Sequence, residues 1–85
     1  MIQITETISF DETKTIQEQS PEFQQWFSDN CPINDKTPVA ACDEYDRPYL
    51  YEFLIDGKLN ISVSPNYIFP DSSNWGISGY TISIN

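Results

Sequence analysis

The 85-residue sequence predicts a small α+β domain, with one short helix packed on a mainly antiparallel four-stranded sheet that contains a central β-hairpin over about 49–55 and 58–64. Three observations carry this. Residues 2–10 place Ile2, Ile4, Ile8 and Phe10 on one parity and Gln3, Thr5, Thr7 and Ser9 on the other, with Glu6 breaking the pattern, which predicts a half-buried strand. Ser20-Pro21-Glu22 reads as a helix start, a hydroxyl cap followed by proline at the first helical position and an acid in the first turn. Asp56-Gly57 is a hairpin turn signal set between two alternating runs.

The remaining elements follow in order. Residues 11–19, polar except for Ile16, read as a loop or frayed turn. Phe23, Trp26 and Phe27 then fall at i, i+3 and i+4, an apolar stripe on a helix of about ten residues that Asn30 ends before Cys31-Pro32. Isolated helices this short are marginal in water, so packing must hold it. From Pro32 to Pro48 three prolines and no sustained period predict a long loop with a short strand at Val39-Ala40-Ala41. A second loop, residues 64–76, leads to a closing strand in which Tyr80, Ile82 and Ile84 alternate with Thr81 and Ser83. No repeat or linker divides the chain, which reads as a single domain over residues 1–85.

The hairpin register decides what Tyr49, Tyr51 and Phe53 do. A two-residue turn at Asp56-Gly57 would set Leu54 against Leu59 and place Glu52 against Ile61, inside the aliphatic face. A turn at Ile55-Asp56 with Gly57 in a bulge sets Phe53 against Leu59, Tyr51 against Ile61 and Tyr49 against Val63, and leaves Glu52 solvated. Burying an unpaired carboxylate costs several kcal/mol, more than the turns differ, so the bulged register is expected. Leu50 and Leu54 then lie on the opposite face.

Composition bounds the chemistry. A chain of this length buries roughly 60–65% of its extended surface, and its 14% aromatic content supplies large buried groups. No apolar run reaches membrane-span length, and the N-terminal alternation is unlike a secretory leader, so a cytoplasmic, unprocessed chain is expected, in the host cytoplasm if the source is viral. Cys31 and Cys42 read as reduced thiols, with a bridge closing the loop between them as the alternative, and Asn60-Ile61-Ser62 as a chance sequon. With no histidine, no Ser/His/Asp or Cys/His constellation can be assembled. The three glycines form no phosphate loop, and Asp43, Glu44 and Asp46 lack the spacing of a calcium loop. The expectation is a non-enzymatic protein with no cofactor and no metal.

The formal charge of −9 is segregated. Residues 6–56 hold twelve acids and three bases, net −9, and residues 57–85 hold only Lys58 and Asp71, net zero. Such a field repels phosphates and anionic lipid, and draws in a basic protein surface. The leading expectation is therefore a protein that occupies a basic surface of a partner, specifically one that handles nucleic acid, a nuclease or a CRISPR-type effector. In size and charge alone the chain resembles phage-encoded inhibitors and toxin-neutralising immunity proteins. Asp43, Glu44, Asp46, Asp11, Glu12 and Asp35 would stand in for phosphates, with Tyr45 and Trp75 as aromatic anchors. Arg47 can neutralise one neighbouring acid, and the 43–46 stretch reads as a protruding acidic loop. The rival expectation is an accessory subunit that docks through Leu50, Leu54 and the Tyr67-Ile68-Phe69 loop, with acidity serving solubility. A small-ligand binder built on the aromatic hairpin comes third.

Overall fold

The computed structural model describes residues 1–71 and 73–85. Its main sheet is four-stranded and antiparallel in the order β3-β4-β5-β6, formed by β3 (Ala41–Cys42), β4 (Pro48–Ile55), β5 (Leu59–Ile68) and β6 (Gly76–Ile84). Helix α1 (Pro21–Asn30) supplies the second layer, and a separate two-stranded ribbon joins β1 (Ile2–Gln3) to β2 (Ser9–Phe10).

The ribbon corrects the single strand expected over residues 2–10. The chain reverses at the parity break, where the Thr5 hydroxyl accepts the backbone N–H groups of Thr7 and Ile8 at 3.4 and 3.1 Å. Glu6 marks the bend, because Ser and Thr hydroxyls stabilise turns by this kind of local bond. The apolar set still converges: Phe10 is fully buried, and Ile2, Ile4 and Ile8 pack around the core. The fourth strand of the main sheet is instead β3, which overlaps the expected 39–41 strand only at Ala41; Ala40 N–H donates to the Leu50 carbonyl at 2.9 Å.

Helix α1 starts and stops as its sequence directs. Ser20 Oγ accepts the Phe23 N–H at 3.2 Å, and Cys31 N–H closes on the Phe27 carbonyl at 2.7 Å. The Phe23 ring packs 5.2 Å from Phe10 and 6.0 Å from Phe27, in one buried cluster with Ile61 and Val63 of the sheet. Burying one such ring contributes roughly 1.5–3 kcal/mol. Ahead of the helix, Ile16–Glu18 forms a 3₁₀ turn, and Gln19 is the one buried polar residue among those described. Its amide accepts the Asp11 N–H at 3.0 Å and donates to the Asp11 and Lys14 carbonyls at 2.8 and 3.1 Å, which folds residues 11–19 into a defined unit.

The β4–β5 register matches neither sequence alternative. The turn lies at Asp56-Gly57, with φ of 52° and 68° and Lys58 N–H bonded to the Ile55 carbonyl at 3.0 Å. Lys58 is then left out of the ladder, so Ile55 pairs with Leu59, Phe53 with Ile61 and Tyr51 with Val63. The expected partners of Phe53, Tyr51 and Tyr49 are thus wrong by two residues, while every side chain keeps its expected face, because the side-chain period is two. Glu52 lies beside Ser62 and Leu54 beside Asn60, both exposed. Asp and Gly tolerate the positive φ, and the one unpaired residue restores the parity that buries the aromatic face.

The loop expected from residue 64 begins later, because β5 continues through Pro65 to Ile68. The Asn85 N–H on the Asn60 carbonyl fixes which β5–β6 pairs exchange hydrogen bonds: Ser62–Ser83 and Ser64–Thr81 do, and Pro65–Tyr80 does not. Pro65 therefore loses no bond to β6. Its missing N–H falls on the β4 side, where the ladder ends at Tyr51–Val63. Tyr49, expected opposite Val63, lies half-exposed past that end. The molecule extends 45 × 25 × 19 Å. At the Asp56-Gly57 end of the sheet, Trp26 and Asn30 of α1 line one cleft with Ile55 and Leu59; at the other end Ile68, Phe69, Trp75 and Ile77 are exposed.

Candidate functional site

That second end gathers the side chains of greatest interest. β3 and β4 are joined by a tight hairpin, residues 43–47, with Asp43 N–H bonded to the Arg47 carbonyl at 3.0 Å and Asp46 N–H to the Asp43 carbonyl at 3.1 Å. Asp46 takes φ of 62°, a left-handed position that Asp and Asn accept more readily than most residues. The Asp43 carboxylate holds the loop together: Oδ1 accepts the N–H groups of Tyr45 and Arg47 at 2.8 and 2.9 Å, and Oδ2 accepts Arg47 Nε at 2.7 Å. Partial burial pushes the Asp43 carboxyl up, but these bonds and the Arg47 charge outweigh it and hold it below its ordinary value.

Arg47 is the hub of the tip. Its guanidinium carbon lies 5.0 Å from the Phe69 ring centroid, 5.2 Å from Tyr45 and 5.8 Å from Tyr67, within cation–π range of all three. Tyr67 in turn meets the Trp75 ring edge-on at 5.2 Å and the Phe69 ring at 6.3 Å. Its hydroxyl donates to the Pro48 carbonyl, which ties the end of β5 to the start of β4. Burial, followed by the neighbouring Tyr51 and Asp43, raises the Tyr67 phenol above its usual range. In the loop from β5 to β6, Asp71 accepts from the side chains and backbone N–H groups of Ser73 and Asn74, which holds its carboxyl at about 2.

The outer surface of this tip is aromatic and acidic. Tyr45 is 70% exposed, Phe69 56% and Trp75 48%, and Glu44, Asp46 and Asp71 lie on the same two loops, all exposed. An open cleft of about 570 Å³ runs between Tyr45, Asp46, Arg47, Pro48 and Trp75.

Of the residues expected to form a partner surface, Asp43, Glu44, Tyr45, Asp46 and Trp75 are brought together here. Asp43 is committed to the turn and to Arg47, so it builds the loop rather than presenting a free carboxylate. Asp11, Glu12 and Asp35 are not joined to the tip by any hydrogen bond, ion pair or shared cleft among the described residues. Asp11 pairs with Lys14 at 3.9 Å, Glu12 with the Met1 ammonium at 3.2 Å, and Asp35 is exposed in the turn closed by Thr37 N–H on the Asn34 carbonyl. Tyr67 and Phe69, assigned by sequence to the rival apolar surface, belong to the same cluster as Tyr45 and Trp75. The missing signal was Pro65, which hid the continuation of β5 that carries Tyr67 beside Arg47.

Among the described residues, no group of three or more His, Cys, Asp and Glu side chains is arranged to hold a metal ion, and no helix is long and apolar enough to cross a membrane. Both cysteines are free; Cys31 is fully buried in the core, which pushes its thiol up to about 11. No known protein family, curated protein or solved structure matches the chain.

Proposed function

We propose that this protein is a non-enzymatic binding protein whose aromatic, acidic tip docks on a basic surface of a partner macromolecule. The observation that carries this reading is the cluster of Tyr45, Phe69 and Trp75, largely exposed rings held on an Arg47 hub and flanked by Glu44, Asp46 and Asp71. Rings pre-positioned on a rigid hub bury large area at low entropic cost, and surrounding carboxylates select a cationic counterpart and speed its approach. The more specific proposal is that the partner handles nucleic acid, as a nuclease or a CRISPR-type effector does, and is inhibited by occupation of its phosphate-binding channel. Asp11, Glu12 and Asp35 then contribute to the long-range field rather than to the contact.

Capture of partners from the native cell, or from the host cell if the source is viral, tests the proposal. Wild-type protein should retain a basic protein at low salt and release it at high salt, and the Tyr45→Ala/Trp75→Ala variant should not retain it. Recovery of no basic partner under either condition overturns the proposal. The rival reading, docking through an apolar surface, is favoured by Leu54, 66% exposed on the open face of the sheet. It predicts capture that salt barely changes and that Leu54→Ser abolishes.

A further inference from the structure

We infer that the basic group anchoring the partner at the tip is an arginine side chain, received in the cleft lined by Tyr45 and Trp75 with its guanidinium paired to the Asp46 carboxylate. The inference rests on the proposed docking of the tip and names the group recognised there. The cleft of about 570 Å³ opens to solvent and has room for one long side chain. The loops that form it set its sign: residues 43–47 and 69–75 hold four acids, Asp43, Glu44, Asp46 and Asp71, against one base, Arg47, net −3. Asp43 meets Arg47 at 2.7 Å, and the Asp71 oxygens are taken by Ser73 and Asn74. The exposed Asp46 carboxylate, which lines the cleft, has no hydrogen-bond or ion-pair partner among the described residues. A cation entering the cleft therefore finds a carboxylate whose acceptor positions are all free.

Two further observations select a guanidinium over an ammonium. The tip already holds one by the same means: Arg47 lies on a carboxylate, Asp43, and over the rings of Tyr45, Tyr67 and Phe69. Those ingredients recur unspent in the cleft, as Asp46 beside Tyr45 and Trp75, rings 70% and 48% exposed. Flat ring surface next to a free carboxylate also suits a planar group, which pairs through two parallel N–H bonds while its face rests on a ring. A lysine ammonium is a compact, strongly hydrated point charge and gains less from either contact. Arg47 itself does not repel the incoming charge strongly, because Asp43 neutralises it within the loop.

Nuclear magnetic resonance titration with two capped pentapeptides, acetyl-Gly-Gly-Arg-Gly-Gly-amide and its lysine counterpart, tests the inference at equal probe charge and fixed ionic strength. The arginine peptide should shift the Trp75 indole N–H and the Asp46 amide saturably, at several-fold lower concentration than the lysine peptide. The Trp26 indole, at the opposite end of the sheet, should not move. Asp46→Asn should abolish the preference while keeping the wild-type spectrum elsewhere, since asparagine accepts the left-handed φ of 62° as aspartate does. No saturable shift with the arginine peptide, equal responses to both peptides, or an Asp46→Asn variant that titrates like wild type, overturns the inference. If partner capture still depends on Tyr45 and Trp75 in that case, the docking tip stands and only the arginine anchor falls; if capture does not depend on them, both fall.

Discussion

Replacing Arg47 by alanine tests whether one side chain organises the tip. The guanidinium stands 5.0–5.8 Å from three ring centroids, with its side chain about one-fifth exposed. A single exposed cation–π contact contributes roughly 0.5–1 kcal/mol. Because one cation cannot give its full value to three rings at once, the expected loss is about 1–2 kcal/mol, not the sum. In a domain of this size that lowers the melting temperature by roughly 5–15 °C. Arg47→Lys should recover only part, since an ammonium lacks the planar face that stacks on rings. Urea denaturation followed by near-ultraviolet circular dichroism reads both stability and the aromatic environment of Tyr45, Tyr67 and Trp75. Unchanged stability together with an unchanged aromatic spectrum in Arg47→Ala would refute the hub.

Three other outcomes follow from the geometry. Gln19→Ala strips partners from one backbone N–H and two carbonyls near the core and should destabilise by about 2–4 kcal/mol in urea with an unchanged m-value, whereas exposed Gln25→Ala should change little. Asp43 and Asp71 carry carboxyls held below the ordinary aspartate value of 3.8, Asp71 at about 2; both bind protons more weakly folded than unfolded, so stability is full above about pH 4 and falls as pH drops towards 2, which acid denaturation of Asp71→Asn against wild type measures. Cys42 should react with a thiol reagent at neutral pH, whereas Cys31, buried and with its thiol at about 11, should react only after unfolding, and mass spectrometry over time separates the two.

Where local chemistry decides the outcome, the sequence was sufficient. Ser20-Pro21 set the start of α1 and Phe23 and Phe27 its buried face, and the argument that Glu52 must stay wet put Tyr51 and Phe53 on the covered face of the sheet. Features decided by single exceptions were less legible. Glu6 was a turn marker disguised as a flaw in a strand, and Lys58 a residue that no pairing rule required to drop out. Pro65 read as the end of β5 because its missing N–H has no consequence only if the neighbouring ladder has already stopped, a fact of register and not of composition. For the site, charge and spacing located Glu44, Tyr45 and Asp46, but Arg47, Tyr67 and Phe69 become neighbours only through the pairing of distant strands. Asp43 looked like its neighbours in sequence and differs from them in having its oxygens occupied.

The most direct measurement of the proposed function is the amide hydrogen-exchange footprint of the protein in complex with a captured basic partner. Docking through the tip predicts new protection across residues 43–47 and 67–77, lost together with binding in Tyr45→Ala/Trp75→Ala, while α1 keeps its free-state exchange rates. A footprint over α1 or over Leu50 and Leu54 on the open sheet face, with the tip still exchanging freely, would contradict the account.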